Sequence, residues 1–427
     1  MNKLPKSKKI ILIIFFIIYC MALLLIWNNF GDRNATRNIT MILIPAIILF
    51  VISFYLVKLS YREIGFVLII LTICYFVIEI SFSIYLKISP ERASVLLWGH
   101  SNDLGDHFVY RPHHYTLFTL KEGYRNDMGT AHNNQGFRNN KDIFIKKRKN
   151  EFRIFFIGGS TTYTIGIKDN HKIFTSKLEK ALNNHAREGS LNIRARVINA
   201  GMGAATSAEN LSRLIFHIIQ YKPDLVVIQH GLNDVWPRLR GDIKSDYSNY
   251  RRMWCSNRSE YNFALKTWIY KHIMSKSNLL LFLCIRLNLL EPNTIRGVIS
   301  NNRYEEDIKN LKINSPDIFQ RNTELMVLVS KYAGSDVLLV SCPYTKEAGK
   351  ERLSAMPKHN QIMKLVAQKM GAYFFDLYGI FDKSIKNLPD GIHASQRGSD
   401  LKYELYLKYL LESYNIFGKR GDLGKNH

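Results

Sequence analysis

From residue 152 onward, short apolar runs alternate with stretches of helical period, and this rhythm restricts the fold more than any other feature of the chain. The runs span 152–157, 195–200, 225–229, 337–341 and 373–377. Between them, apolar residues recur at helical spacing over about 172–186, 207–221, 316–333 and 357–370, and a last helix is expected over about 397–414. Strands alternating with helices of this length predict a parallel sheet with right-handed crossovers. In such sheets chemistry gathers at the carboxyl ends of the strands.

Four short motifs fall on this pattern, and three begin where a predicted strand ends. The first is Gly158-Gly159-Ser160-Thr161. Two glycines after a strand let the backbone turn tightly and leave a serine hydroxyl exposed as a nucleophile. An N-capping serine is the plain alternative. No Gly-Lys-Ser/Thr follows, so a phosphate loop is excluded. The second motif, 199–204, is a glycine-rich turn whose N–H groups can face a developing oxyanion. The third, Gly231-Leu232-Asn233-Asp234, offers the Asn233 amide for the same role, although Asn-Asp is also frequent in loop turns. The fourth, Asp390-Gly391-Ile392-His393, places a carboxylate three residues before an imidazole. In an irregular turn the carboxylate accepts from one ring nitrogen while the other faces the serine. An Asx-turn at Asp390 with a surface His393 is the rival. Nucleophile, imidazole, carboxylate and N–H donors are the parts needed to attack an ester carbonyl.

The set, in this order, resembles the SGNH (GDSL-type) hydrolase superfamily over about residues 152–414. The resemblance implies a flavodoxin-like three-layer α/β/α fold with a parallel sheet and a Ser–His–Asp esterase mechanism without metal or cofactor. It assigns Ser160 as nucleophile, His393 as base and Asp390 as its orienting carboxylate. The oxyanion donors would be the Ser160 N–H, the Asn233 side chain and an N–H from the second motif. Two departures stand out. Gly159 replaces the aspartate of the family's Gly-Asp-Ser, a position that is not a catalytic group. The family's oxyanion glycine falls on Ala204, with Gly203 beside it. Alanine suits the position only at negative φ, so the choice between Gly203 and Ala204 stays open.

Before this region lie three apolar runs, 10–27, 41–57 and 64–86, each about long enough to cross a hydrocarbon core as a helix. Pro45 within the second is tolerated in a membrane helix. Lys3, Lys6, Lys8 and Lys9 favour an inside N-terminus. Lys58 and Arg62 agree with that orientation, whereas Arg33 and Arg37 fall outside. Three crossings would put the remainder outside the cytoplasm. Glu79, within the third run, is a functional candidate by default, or else a residue reaching interfacial water. The formal net charge is +24, of which the first 87 residues carry +6. Such a surface favours anionic partners such as lipid headgroups or acidic glycans. No nucleic-acid motif is present, so nucleic acid is not an expected partner.

Among five cysteines there is no CxxC pair, and no HExxH occurs, so zinc is not expected. Cys284 and Cys342 sit in apolar runs and read as small core residues. His100, His107, His113, His114 and His132 lack ligand spacing and read as surface or packing residues. The expected organisation is an anchor at 1–87, a packing linker at 88–150, and a hydrolase domain at 151–418. An insertion at 235–310 holds Trp236, Trp254, Trp268 and an apolar helix-like run at 279–290. It reads as a substrate lid, a surface resting on the membrane, or an extra packing helix. The expected function is removal of ester-linked acyl groups from a small molecule, glycan or lipid. Acyl transfer to an envelope polysaccharide with a membrane acyltransferase partner is the nearest alternative. A non-catalytic binding module on the same fold is a further one.

Overall fold

The computed structural model describes residues 60–88, 109–251, 277–286 and 307–418. The chain divides into two compact units, 1–103 with 257–293 and 104–256 with 294–427.

The second unit is built on the predicted sheet. Its strands are β3 (Glu151–Gly158), β4 (Arg194–Gly201), β5 (Leu225–Gln229), β6 (Asp336–Val340) and β7 (Tyr373–Phe375), following a hairpin of β1 (Tyr110–His113) and β2 (Leu117–Leu120). All five sheet strands are parallel, in the order β4-β3-β5-β6-β7. Counted from β3, that order is 2-1-3-4-5, the flavodoxin-like winding. The order reverses at β3, so the crevice for a ligand opens where β3 and β5 end.

Alternating side chains separate two cores. Phe155, Ile157, Val226 and Ile228 face one layer, where they meet α2 (Ser207–Arg213), α3 (Asp317–Tyr332) and α4 (Lys350–Met370). Ile154, Phe156, Leu225 and Val227 face the other, against α1 (Phe174–Glu188) and α5 (Gln396–Lys408). Phe174, Leu178 and Leu182 recur every fourth residue along α1, a stripe that buries one face. Each such side chain contributes about 1.5–3 kcal/mol on burial. A sheet covered on both faces explains why the strands read as continuous apolar runs.

Three elements differ from expectation in detail. The helix expected over 207–221 is α for one segment only, then continues as a π turn (Leu214–Ile218) and a 3-10 turn (Ile219–Tyr221). The helix expected from 357 begins at Lys350, because Ala355 and Met356 are buried and extend its apolar face. The packing segment expected over 88–150 contains, within its described part, a hairpin that the sequence pattern did not indicate. Val109, Tyr110, Phe118 and Leu120 form a core with Tyr163, Met202 and Ala205, so the hairpin packs beside the loops that follow β3 and β4.

In the first unit, residues Tyr61–Ile88 form one helix of 28 residues. The third expected span lies within it, while the first two lie outside the described residues. Counting described side chains alone, no helix is long and apolar enough to cross a membrane. Glu79 has a structural role that neither of the two readings named. Its carboxylate accepts the N–H groups of Asn278 and Leu279, each at 2.8 Å, and the Ser277 hydroxyl at 2.7 Å. It therefore caps the helix Asn278–Arg286, satisfying N–H groups that the first turn leaves open. The insertion at 235–310 is divided accordingly: 257–293 belongs with the first unit, whereas Leu239, Tyr247 and Tyr250 are buried in the second.

Candidate active site

Ser160 opens a single helical turn, Ser160–Tyr163, directly after β3. Its Oγ lies 2.7 Å from His393 Nε2, across 233 positions of sequence. On the other side of the ring, His393 Nδ1 is 2.5 Å from Asp390 Oδ2. The second carboxylate oxygen accepts the N–H groups of His393 at 2.7 Å and Ile392 at 3.1 Å. Partial burial opposes the Asp390 charge. The hydrogen bonds from the His393 imidazole and the two N–H groups outweigh it and hold the carboxyl well below the usual carboxylate range. An ionised Asp390 fixes the tautomer with the proton on Nδ1, leaving Nε2 to accept from Ser160. The predicted trio is therefore brought together.

Asn233 lies on the loop after β5, with Nδ2 donating to Ala205 O at 2.9 Å. Its amide rests against Gly159: a Cβ on residue 159 would stand 2.7 Å from Asn233 Nδ2. The lack of a side chain at Gly159 is thus what admits the amide to the nucleophile turn.

The loop after β4 resolves differently from expectation. Ala204 has φ of 59°, in the left-handed region, so the condition of negative φ fails there. The conformation costs about 1 kcal/mol for a residue with a Cβ. It is held by Arg251 Nη2 donating to Ala204 O at 2.7 Å and by Ala205 N donating to Met202 O at 3.1 Å. Gly203 meets the Tyr110 hydroxyl so closely that a Cβ there would lie 2.4 Å from it. Ala204 thus shows that this loop accommodates a Cβ at positive φ.

Several residues that hold these loops were not singled out by sequence. Arg138 is buried and donates to the carbonyls of Tyr163 at 2.7 Å, Thr164 at 2.8 Å and Ile167, and to Asn170 Oδ1 at 3.0 Å. It fastens the segment that follows Ser160. Lys402 on α5 is buried beneath the same turn, donating to Thr161 O at 3.2 Å and Gln229 Oε1 at 2.7 Å. Burial lowers its pKa to about 7. His359 on α4 is kept neutral by burial, with its pKa lowered to about 3. Its Nε2 accepts from Arg238 and its Nδ1 donates to Gly231 O, both at 2.9 Å, which steadies the turn before Asn233. Asp234 accepts from Ser207 N at 3.0 Å and Oγ at 2.6 Å, and burial raises its pKa to about 6. It joins the third motif to the start of α2.

Of the histidines read as surface or packing residues, His132 is buried between Lys121 O and the Tyr163 hydroxyl, each at 2.9 Å. His113 and His114 lie at and after the end of β1, and His100 and His107 lie outside the described residues. Cys342 is buried, its Sγ 3.1 Å from His230 O. Among the described residues no group of His, Cys, Asp and Glu is arranged to hold a metal ion.

No family model and no curated protein matches the chain. Solved structures similar to it include Axe2, an acetylxylan esterase from Geobacillus stearothermophilus, at 18% identity and a TM-score of 0.37, covering 61% of this chain and 95% of that one. TesA is similar at 18% identity and a TM-score of 0.36, covering 60% and 97%. LAE5, an alpha/beta hydrolase enzyme from the metagenome of Lake Arreo in Spain, is similar at 17% identity and a TM-score of 0.36, covering 60% and 93%.

Proposed function

We propose that the second unit is a serine esterase of the SGNH type that removes ester-linked acyl groups. The observation that carries this reading is the unbroken contact from Ser160 Oγ to His393 Nε2 and from His393 Nδ1 to Asp390. Ser160 Oγ attacks the ester carbonyl while His393 Nε2 takes its proton. Asp390 steadies the imidazolium. The developing oxyanion is received by the N–H group of Ser160, by that of Gly203 or Ala204, and by Asn233 Nδ2. His393 then returns its proton to the leaving alcohol, and an acyl-serine remains. Water, activated by the same imidazole, releases the acid and restores the serine. The His393 side chain is 25% exposed and the Asp390 side chain 52%, so solvent water reaches the imidazole.

The three apolar runs support anchoring in a membrane with this unit outside the cytoplasm. The helix Tyr61–Ile88 has 28 residues, about 42 Å at ~1.5 Å per residue, and its Phe66, Ile69, Ile73, Phe76 and Ile80 are exposed. Substrates in that setting are acylated glycans, lipids or small molecules.

The test is hydrolysis of p-nitrophenyl acetate together with fluorophosphonate labelling. Ser160→Ala is expected to abolish both. Full turnover in that variant would refute the catalytic role. Absence of an adduct in the unaltered chain would point to a binding module. Faster formation of acyl-glycan than of free acid, when acceptor glycan is supplied, would favour transfer.

A further inference from the structure

We infer that the edge of the sheet opposite the catalytic loops is a docking surface for an anionic bilayer. The observations lie just before β3. Phe144 and Ile145 are adjacent and 69% and 58% exposed, although Ile143 beside them is buried. They run directly into Lys146, Lys147, Arg148 and Lys149. Lys141, Lys146, Arg148 and Arg194 are exposed around them. A cleft of about 310 Å³ opens between these side chains, wide enough for a phosphodiester headgroup.

The acidic groups at this edge are mostly engaged. Glu151 is held by Arg153 at 3.1 Å and Arg196 at 3.9 Å. Asp224 is held by Lys147 at 2.5 Å. Asp142 accepts from the Asn134 backbone at 2.9 Å and side chain at 2.7 Å, and among the described residues no basic side chain pairs with it. The outward field is therefore positive.

Charge alone would suit any polyanion. The apolar pair selects among them. A glycan offers a sugar face to Phe144 alone and little to Ile145, whereas at a bilayer both side chains enter the boundary between headgroups and chains. Each Lys or Arg near an anionic leaflet adds about 1 kcal/mol. Short basic runs with apolar neighbours thus bind anionic lipid surfaces and release them at high salt.

Geometry gives the docking a consequence. The patch adjoins the first residues of β3 and β4, Glu151 and Arg194, and Ser160 lies just beyond the far end of β3. Eight residues of strand separate the two ends by about 25 Å at ~3.3 Å per residue. A bilayer seated on the patch would leave Ser160 facing away from the headgroups, toward glycans or small molecules beyond the membrane. The inference does not depend on the catalytic reading, and the readout that decides it is hydrogen exchange, with turnover serving only as a control for the variant.

The test is hydrogen exchange of the full chain in bilayers of phosphatidylcholine, with and without phosphatidylglycerol. Backbone exchange over 143–149 should slow about tenfold in the anionic bilayer and not in the neutral one. The triple variant Phe144→Ser, Lys146→Glu, Arg148→Glu should lose that slowing while keeping its melting temperature and its hydrolysis of p-nitrophenyl acetate. Equal exchange in both bilayers would overturn the inference. So would slowing produced by soluble acidic polysaccharide in the neutral bilayer, which would reassign the surface to a glycan. Incorporation of the chain into either bilayer reads out the anchor separately.

Discussion

Asn233 occupies the space that any side chain on residue 159 would require, its Nδ2 only 2.7 Å from the site of a Cβ there. Gly159 and Asn233 therefore act as one fitted pair. Removing an oxyanion donor typically costs about 10²–10³ in turnover. Asn233→Ala is expected to lose that much with the fold intact. Gly159→Ala should lose a similar factor by pushing the amide away. Steady-state kinetics with melting curves will check this: if Gly159→Ala keeps full kcat, the fit is not functional.

Arg138 is expected to matter for stability more than for chemistry. Its guanidinium satisfies buried carbonyls on the segment after Ser160. Arg138→Met leaves several of them unpartnered, at roughly 3 kcal/mol in total. In a domain of this size that corresponds to a fall in Tm of roughly 6–12 °C, measurable by calorimetry. A loss within a degree or two would mean that water replaces the guanidinium.

Lys402 gives a pH dependence of definite sign. Its pKa falls from 10.5 in the unfolded chain to about 7 in the fold, because burial disfavours the charge. Between those values the unfolded chain binds more protons, so stability rises with pH across this window. Lys402→Met should abolish that slope. Urea midpoints for both proteins near pH 7 and near pH 9 will show it; parallel behaviour would contradict the buried-charge account.

Ala204 stands in a conformation that favours glycine. Ala204→Gly is expected to stabilise by about 1 kcal/mol, offset in part by the flexibility glycine adds to the unfolded chain. The check is the denaturant midpoint. A clear loss of stability would show that the Ala204 methyl contributes packing that outweighs the strain.

Much of the sheet was legible because both faces are covered: a strand buried on two sides is mostly apolar, and β3 is buried throughout, its Arg153 paired with Glu151. The motifs were legible because three of them sit where such strands stop. The hairpin at 110–120 was not, since strands of four residues rich in Tyr, His and Thr carry no clear period. Arg138 was hidden because it stands in a polar, turn-like stretch, 133–138, where nothing in the pattern marks one side chain as buried. Lys402 could have been found: it stands four residues before Tyr406 and eight before Leu410, in phase with the buried stripe of the last helix. A lysine in that phase contradicts the expectation that lysine faces water. His359 is similar, sharing the buried face of α4 with Ile362, Met363 and Val366. The left-handed Ala204 had no signal at all, because the interactions that impose it come from Arg251, 47 positions away.

The carboxylate of Glu79 closes the start of a helix that lies almost two hundred positions further along. Removing the residues before the hairpin would strip that helix of its lid and bare its leucines. A shortened chain that keeps the second unit whole therefore needs two cuts, one upstream of the hairpin and one that bridges 257–293 with a short polar loop.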